Sequence, residues 1–303
     1  MIEFIQHLVN GASLGGIYAL VALGYTMVFG VLQLINFAHG DLTALGALIG
    51  LFTYRALRTW GVLSPLTCFF FMMISAMTAC AFMGFCIEKL AYKPLRKAPR
   101  INILITTVGV SLLIEYTGQL IVGTQPLFFP PLFSHSDSPF LQNGNIAFNP
   151  VQFIVLGVAL SLAVGLRWLI FRTRFGLSMR AVSFHHENAS LMGISPDRVI
   201  SLTFMMGSAL AGAAGILIGL MYPRVDPFMG TIPGLKAFTA AVLGGIGNIS
   251  GAVVGAFFLG LAEELIVGYG NPSYRDAFAF LVLILVLLIR PAGLFGKPVK
   301  EKV

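Results

Sequence analysis

Charged residues are scarce. Asp, Glu, Lys and Arg make up 10% of the 303 residues, against about 25% in soluble domains, while hydrophobic residues reach 57%. That balance excludes a protein with much soluble mass. Cysteine is also sparse: Cys68, Cys80 and Cys86 are odd in number and sit in or beside one apolar run, which fits packing residues rather than a disulfide framework. Nucleotide-binding loops are missing as well. "AVLGGIGNISG" places Gly245, Gly247 and Gly251 as GxGxxxG, whereas a pyrophosphate turn needs GxGxxG after a strand. "GLFGKP" at 293–298 lacks the GxxxxGK followed by Ser or Thr of a phosphate loop. His185 and His186 are adjacent, without the i, i+4 spacing of helical metal ligands. No nucleophile, base and orienting acid fall together, so no enzyme chemistry is expected on this chain, and neither a metal nor a cofactor.

What is present is grease in long runs. Apolar stretches near 10–30, 42–57, 65–87, 101–122, 151–171, 199–221, 235–247, 250–268 and 276–290 approach the roughly 20 residues needed to cross about 30 Å of hydrocarbon. The expected fold is therefore an all-α polytopic membrane bundle of eight or nine spans, 235–247 being short enough for a half-helix. One membrane domain is expected to cover 1–303. The first run is preceded by MIEFIQH, without Lys or Arg, and is too long for a signal-peptide core, so it is expected to remain.

The formal charge of +7 falls at span ends, which speaks of orientation and not of nucleic acid. Lys89, Lys93, Arg96, Lys97 and Arg100 form one cluster; Arg167, Arg172, Arg174, Arg180 and Arg198 a second; Arg290, Lys297, Lys300 and Lys302 a third. Segment 123–150 has no Lys or Arg. Nine crossings with the N-terminus outside and the C-terminus cytoplasmic satisfy this pattern, although Arg55 and Arg58 then lie on the outer side. The external loop is then about 123–150 and a cytoplasmic loop about 172–198.

Small residues step by four at Gly207, Ala211, Gly215 and Gly219 and at Gly247, Gly251 and Gly255, with a shorter case at Gly46 and Gly50. Such stripes let helix backbones approach closely. Two polar breaks interrupt the grease. "INFAHGDL" carries Asn36, His39 and Asp41, and "KAFTAAVLGGIGNISG" carries Lys236, Thr239 and Asn248. Broken backbone at membrane depth is tolerated when buried in protein or lining a wet cavity, so these six residues are the candidates for a translocation path. A tight connection is the alternative for the first break. One break in each half hints at an internal repeat, too weak in letters to align. Glu115, Glu263 and Glu264 fall inside apolar runs, where ionisable groups are costly; structural pairing is the expectation ahead of proton relay.

The stretch "HHENASLMGISPDRV", residues 185–199, is punctuated for two helices. Gly193 suits the position that ends a short helix through about 186–192. Ser195, Pro196 and Asp197 suit the N-cap, N1 and first turn of the next span. Glu187, Ala189, Ser190, Met192 and Gly193 form a small mixed surface on a helix too short to be stable alone, so either a partner holds it or it rests on the bundle as a connector.

The run "TRFGLSMRAVSFHHENASLMGISPDRVISLTF" resembles the cytoplasmic coupling loop of bacterial ABC importer permeases, with Glu187, Ala189 and Gly193 at the pattern's acidic, Ala and Gly places. "YTMVFGVLQLINFAHGDL" and "GLKAFTAAVLGGIGNISGAVVGAFFLGLAE" resemble the permeases of branched-chain amino-acid importers, the H-type subunit in particular, and the resemblance covers essentially the whole chain. It implies a bacterial inner-membrane subunit working with a second, similar permease, two ATPases that bind ATP and Mg, and a soluble external binding protein. Phe184 and His185 stand where the family usually has Gln-Asn or Glu-Asp. Within the same architecture, urea, amides or another small polar solute is the alternative cargo; a stand-alone secondary transporter is the alternative class.

Overall fold

The computed structural model describes residues 2–62, 64–96, 98–133 and 149–296. Most of the expected external loop, Lys97 and the tail lysines Lys297, Lys300 and Lys302 lie outside the described residues. Twelve α-helices follow in order: α1 (Ile2–Leu32), α2 (Asp41–Thr59), α3 (Pro65–Ile87), α4 (Lys93–Leu95), α5 (Arg100–Val122), α6 (Pro150–Arg172), α7 (Arg174–Phe184), α8 (His186–Leu191), α9 (Pro196–Met221), α10 (Thr231–Gly244), α11 (Ile249–Tyr269) and α12 (Arg275–Ile289). A π-helical turn, Glu88–Tyr92, joins α3 to α4. Two-residue strands, β1 (Leu127–Phe128) and β2 (Arg224–Val225), pair antiparallel.

Seven stretches among the described residues are long and apolar enough to cross a membrane. The chain is an all-α polytopic membrane protein. Four helices fall outside that set: α7 and α8 in the polar loop, α2, of 19 residues, and α10, whose 14 residues span about 21 Å, less than the hydrocarbon thickness.

The centre of the bundle is made by α1 and α9, whose apolar windows are 89% and 72% buried, while α12 is 6% buried and lies at the edge. Lipid is as apolar as Leu, so close backbone approach replaces the hydrophobic effect as the packing force. Glycines supply it. A Cβ on Gly11 or Gly15 of α1 would stand 2.8 Å from the Leu261 or Phe257 Cα of α11. A Cβ on Gly212 of α9 would stand 2.7 Å from the Ala76 carbonyl oxygen and 2.9 Å from Cys80 Sγ of α3. The expected stripes divide their work: Gly207 faces Gly24 of α1, Gly215 faces Thr43 of α2, and Gly219 faces Phe129. Gly251 and Gly255 abut α10, but Gly247 is a turn residue with φ +92°, because α10 has ended at Gly244 and the chain must reverse into α11.

The first polar break is an interruption inside the protein, whereas the second expected stretch, 236–251, is helical in α10 up to Gly244 and then turns into α11; the interruption that matches the first lies upstream of it. After α1 the chain makes a 3₁₀ turn, Phe37–His39, and α2 begins from the buried Gly40. After β2 it re-enters to begin α10 from the buried Gly230. These two starts touch: a Cβ on Gly40 would lie 2.9 Å from the Gly230 carbonyl oxygen. From that junction the helices run in opposite directions. Leu57 of α2 joins Phe129, Leu132 and Val225, whereas the end of α10 bonds the segment after α12, through Leu294 to Leu243 and Phe295 to Gly244. Two interrupted helices meeting start to start, one from each half, is the arrangement of broken-helix transporters.

Candidate functional site

At the polar loop, α6 ends at Arg172 and the chain turns at Thr173, whose hydroxyl accepts from Gly176 N (3.2 Å). It then forms α7 within the stretch 172–198 expected as loop, because the segment packs against its neighbouring helices. An extended His185 (φ −161°, ψ 112°) breaks α7 from α8. The short helix His186–Leu191 agrees with the expected 186–192. Gly193 has φ +82°, its N–H donates to Ser190 O (3.0 Å), and Ile194 N–H donates to Ala189 O (3.1 Å). This pair of bonds is a Schellman cap, which needs the left-handed conformation that glycine adopts at little cost. Ala189 is buried against the bundle, while Glu187, Ser190, Met192 and Gly193 are exposed. Phe184, Leu191 and Met192, each more than 80% exposed, surround the helix with apolar surface.

Ser195 and Pro196 take the N-cap and N1 positions of α9, but the Ser195 side chain makes no cap bond. Asp197 does different work. Its carboxylate pairs with Lys93 Nζ (2.8 Å) and Arg96 Nη1 (2.5 Å), and Arg96 also donates to the fully buried Glu88, which accepts from Ser201 Oγ (2.5 Å). This tie fixes the start of α9 to the end of α3. Sequence reading missed it because Glu88 and Arg96 are far from Asp197 in the chain.

The six path candidates separate. Asn36, His39 and Asp41 are buried together in the first break. Neither side-chain atom of Asn36, nor His39 Nε2, has a hydrogen-bond partner among the described residues, and the His39 ring stands 4.7 Å from that of Tyr25. Asp41 accepts from Ser111, and Glu115 accepts from Thr231 Oγ1 (2.8 Å). Thr239 is spent on its own helix, donating to Leu235 O (3.0 Å). Asn248 caps α11, accepting from Gly251 N (3.1 Å) and donating to Phe295 O (3.0 Å). It borders a cavity of about 610 Å³ that also reaches Gln33, Arg180 and Ser183.

Lys236 belongs to a charge network. Its buried Nζ pairs with Glu263 Oε2 (2.9 Å) and Asp276 Oδ1 (2.6 Å). Arg275 Nε and Tyr18 Oη donate to the same Glu263 oxygen, both at 3.1 Å, and Arg275 Nη2 donates to Tyr222 Oη (3.3 Å). Two cations face two carboxylates, so burial is compensated without net charge. Arg275, Asp276, Tyr18 and Tyr222 were absent from the sequence candidates; the clue was an acidic residue in an apolar run, whose partners only the fold supplies.

Residues 7–287 match the family described as branched-chain amino acid transport system / permease component. The chain belongs to that family. It is 38% identical over 306 residues to the high-affinity branched-chain amino acid transport system permease protein LivH of Escherichia coli (strain K12), covering 99% of this chain and 98% of that protein. It is 39% identical over 306 residues, with the same coverage, to the corresponding permease protein BraD of Pseudomonas aeruginosa. The probable branched-chain amino acid transport permease protein LivH of Methanocaldococcus jannaschii is 28% identical over 294 residues, 91% of this chain and 88% of that protein.

Proposed function

We propose that this permease is one half of the translocation path of an ATP-driven ABC importer for branched-chain or related amino acids in the bacterial inner membrane. It pairs with a second, similar permease; two ATPases carry ATP and Mg, and a soluble external protein delivers the solute. In this reading α2 and α10 count with the seven longer spans, giving nine crossings, a number that satisfies the placement of the basic loops. The N-terminus then lies outside, and α8 and the C-terminus lie in the cytoplasm.

The observation that carries the reading is α8 itself. Six residues cannot hold a helix alone, yet α8 is capped at Gly193, seated through Ala189 and exposed through Phe184, Leu191 and Met192. That is the shape of a part meant to be gripped. α9 follows at once and is about 39 Å long, tied to α3 at one end by Asp197 and Arg96 and bordering the Lys236 network at the other through Tyr222. Closure of the ATPases on α8 then biases a two-state equilibrium of the whole bundle. The Asn36 side chain and His39 Nε2, buried without a hydrogen-bond partner among the described residues, stand in this reading where solute or its water passes.

The test is purification of the tagged chain from native membranes in mild detergent, then reconstitution of whatever comes with it into vesicles with the external binding protein. Leucine uptake that needs ATP, with two ATPase polypeptides and a second permease in the preparation, is the expected result. Uptake by this chain alone without ATP would overturn the reading.

A further inference from the structure

At the end of α9 opposite α8, the Lys236 network opens into a cavity of about 300 Å³, the lower end of the ~300–1,000 Å³ range of small-molecule sites. Lys236, Arg275 and Asp276 line it together with Tyr18, Tyr222 and aliphatic side chains such as Leu14, Ile17 and Ile232. We infer that this cavity is a transient binding site for a zwitterionic amino acid with an aliphatic side chain, occupied on the way through the bundle. The inference rests on the importer reading above and adds a site to it.

The chemistry of the walls sets the class of ligand. An Arg guanidinium has five N–H donors, and the bonds to Glu263 and Tyr222 use Nε and Nη2, so Nη1 is free to take a carboxylate. The Lys236 ammonium has three donors, two of them engaged with Glu263 and Asp276. Asp276 bonds Lys236 through Oδ1 and is half-exposed, so Oδ2 is left for an ammonium group. The network is neutral as it stands. A zwitterion adds one charge of each sign to complementary partners, whereas an isolated anion or cation leaves a charge unbalanced. Apart from these charged groups and from Tyr18 and Tyr222, whose hydroxyls are bonded to Glu263 and Arg275, the rest of the lining is apolar, so a charged ligand side chain loses hydration there without a new partner.

The probes are leucine, its des-amino analogue isocaproate and its decarboxylated analogue isoamylamine. Binding of radiolabelled leucine is measured on the purified full complex in nanodiscs, without the external binding protein, and the two analogues are used as competitors. Leucine should bind about tenfold or more tightly than either analogue, because each lacks one charged hydrogen-bond set. Asp276→Asn should weaken leucine and isoamylamine by about tenfold while leaving isocaproate unchanged, and Arg275→Gln should weaken leucine and isocaproate while sparing isoamylamine. A purely structural role for these residues would weaken all three compounds together, and that outcome overturns the inference. So does an absence of leucine binding to a wild-type complex that still performs ATP-driven uptake, which leaves the importer reading intact. A complex with no ATP-driven leucine uptake overturns both.

Discussion

Substitution of Gly193 separates backbone conformation from contact. Its φ of +82° is accessible to glycine, and a Cβ there meets nothing within 4 Å, so any penalty for alanine comes from the chain itself. Holding Ala in the left-handed region costs about 1–2 kcal/mol; Asn, which tolerates that region, costs less. Proline is locked near −65° and removes the N–H that donates to Ser190 O, so it costs more than alanine. A six-residue helix has little stability to spare, and about 1–2 kcal/mol lowers the population of its capped form roughly 5–30-fold. The series Gly, Asn, Ala, Pro should therefore show falling leucine transport per ATP hydrolysed in reconstituted vesicles. The membrane bundle, judged by size-exclusion profile, should be unchanged, because Gly193 is exposed and outside the packed helices. Wild-type transport stoichiometry in Gly193→Pro, or equal activity in all four proteins, would refute the idea that the cap transmits the stroke.

Two further outcomes concern stability. Lys236→Met leaves Glu263 buried with Arg275 and Tyr18 but without its ammonium partner, and breaking such a pair costs about 3–5 kcal/mol; thermal unfolding in detergent should fall well below wild type, with Lys236→Met/Glu263→Met less destabilised than the two single losses added together. Gly212→Val forces α9 away from the Ala76 carbonyl and Cys80 of α3, an overpacking worth about 1–3 kcal/mol or more, read as loss of monodisperse protein; an unchanged yield and Tm would mean that the helices are not in backbone contact.

Much of this was legible because bilayer physics restricts the choices. Apolar length gave the spans, and the Gly193, Pro196 and Asp197 punctuation placed the α8–α9 junction, since caps are local chemistry. α7 was not legible: its 11 residues, Arg174–Phe184, carry basic residues that read as loop, and packing on α6 and α9 makes it a helix. Asp197 suited a helix start, yet its carboxylate is taken by Lys93 and Arg96. Thr239 and Asn248 stand out in the sequence because they are polar in an apolar run; in the structure their side chains bond Leu235 O, Gly251 N and Phe295 O.

By itself the sequence determined that the chain lives in a membrane, roughly where its apolar helices lie, and that a short polar helix ends at Gly193 just before the next span begins. Each of these depends on residues within a few positions of one another. Only the tertiary structure decided that Gly40 and Gly230 meet, that Glu88 ties α3 to α9, and that Lys236, Glu263, Arg275 and Asp276 share one network beside a cavity. Those partners are remote in sequence, and a buried charge is tolerable only once the fold has placed its counter-charge within reach.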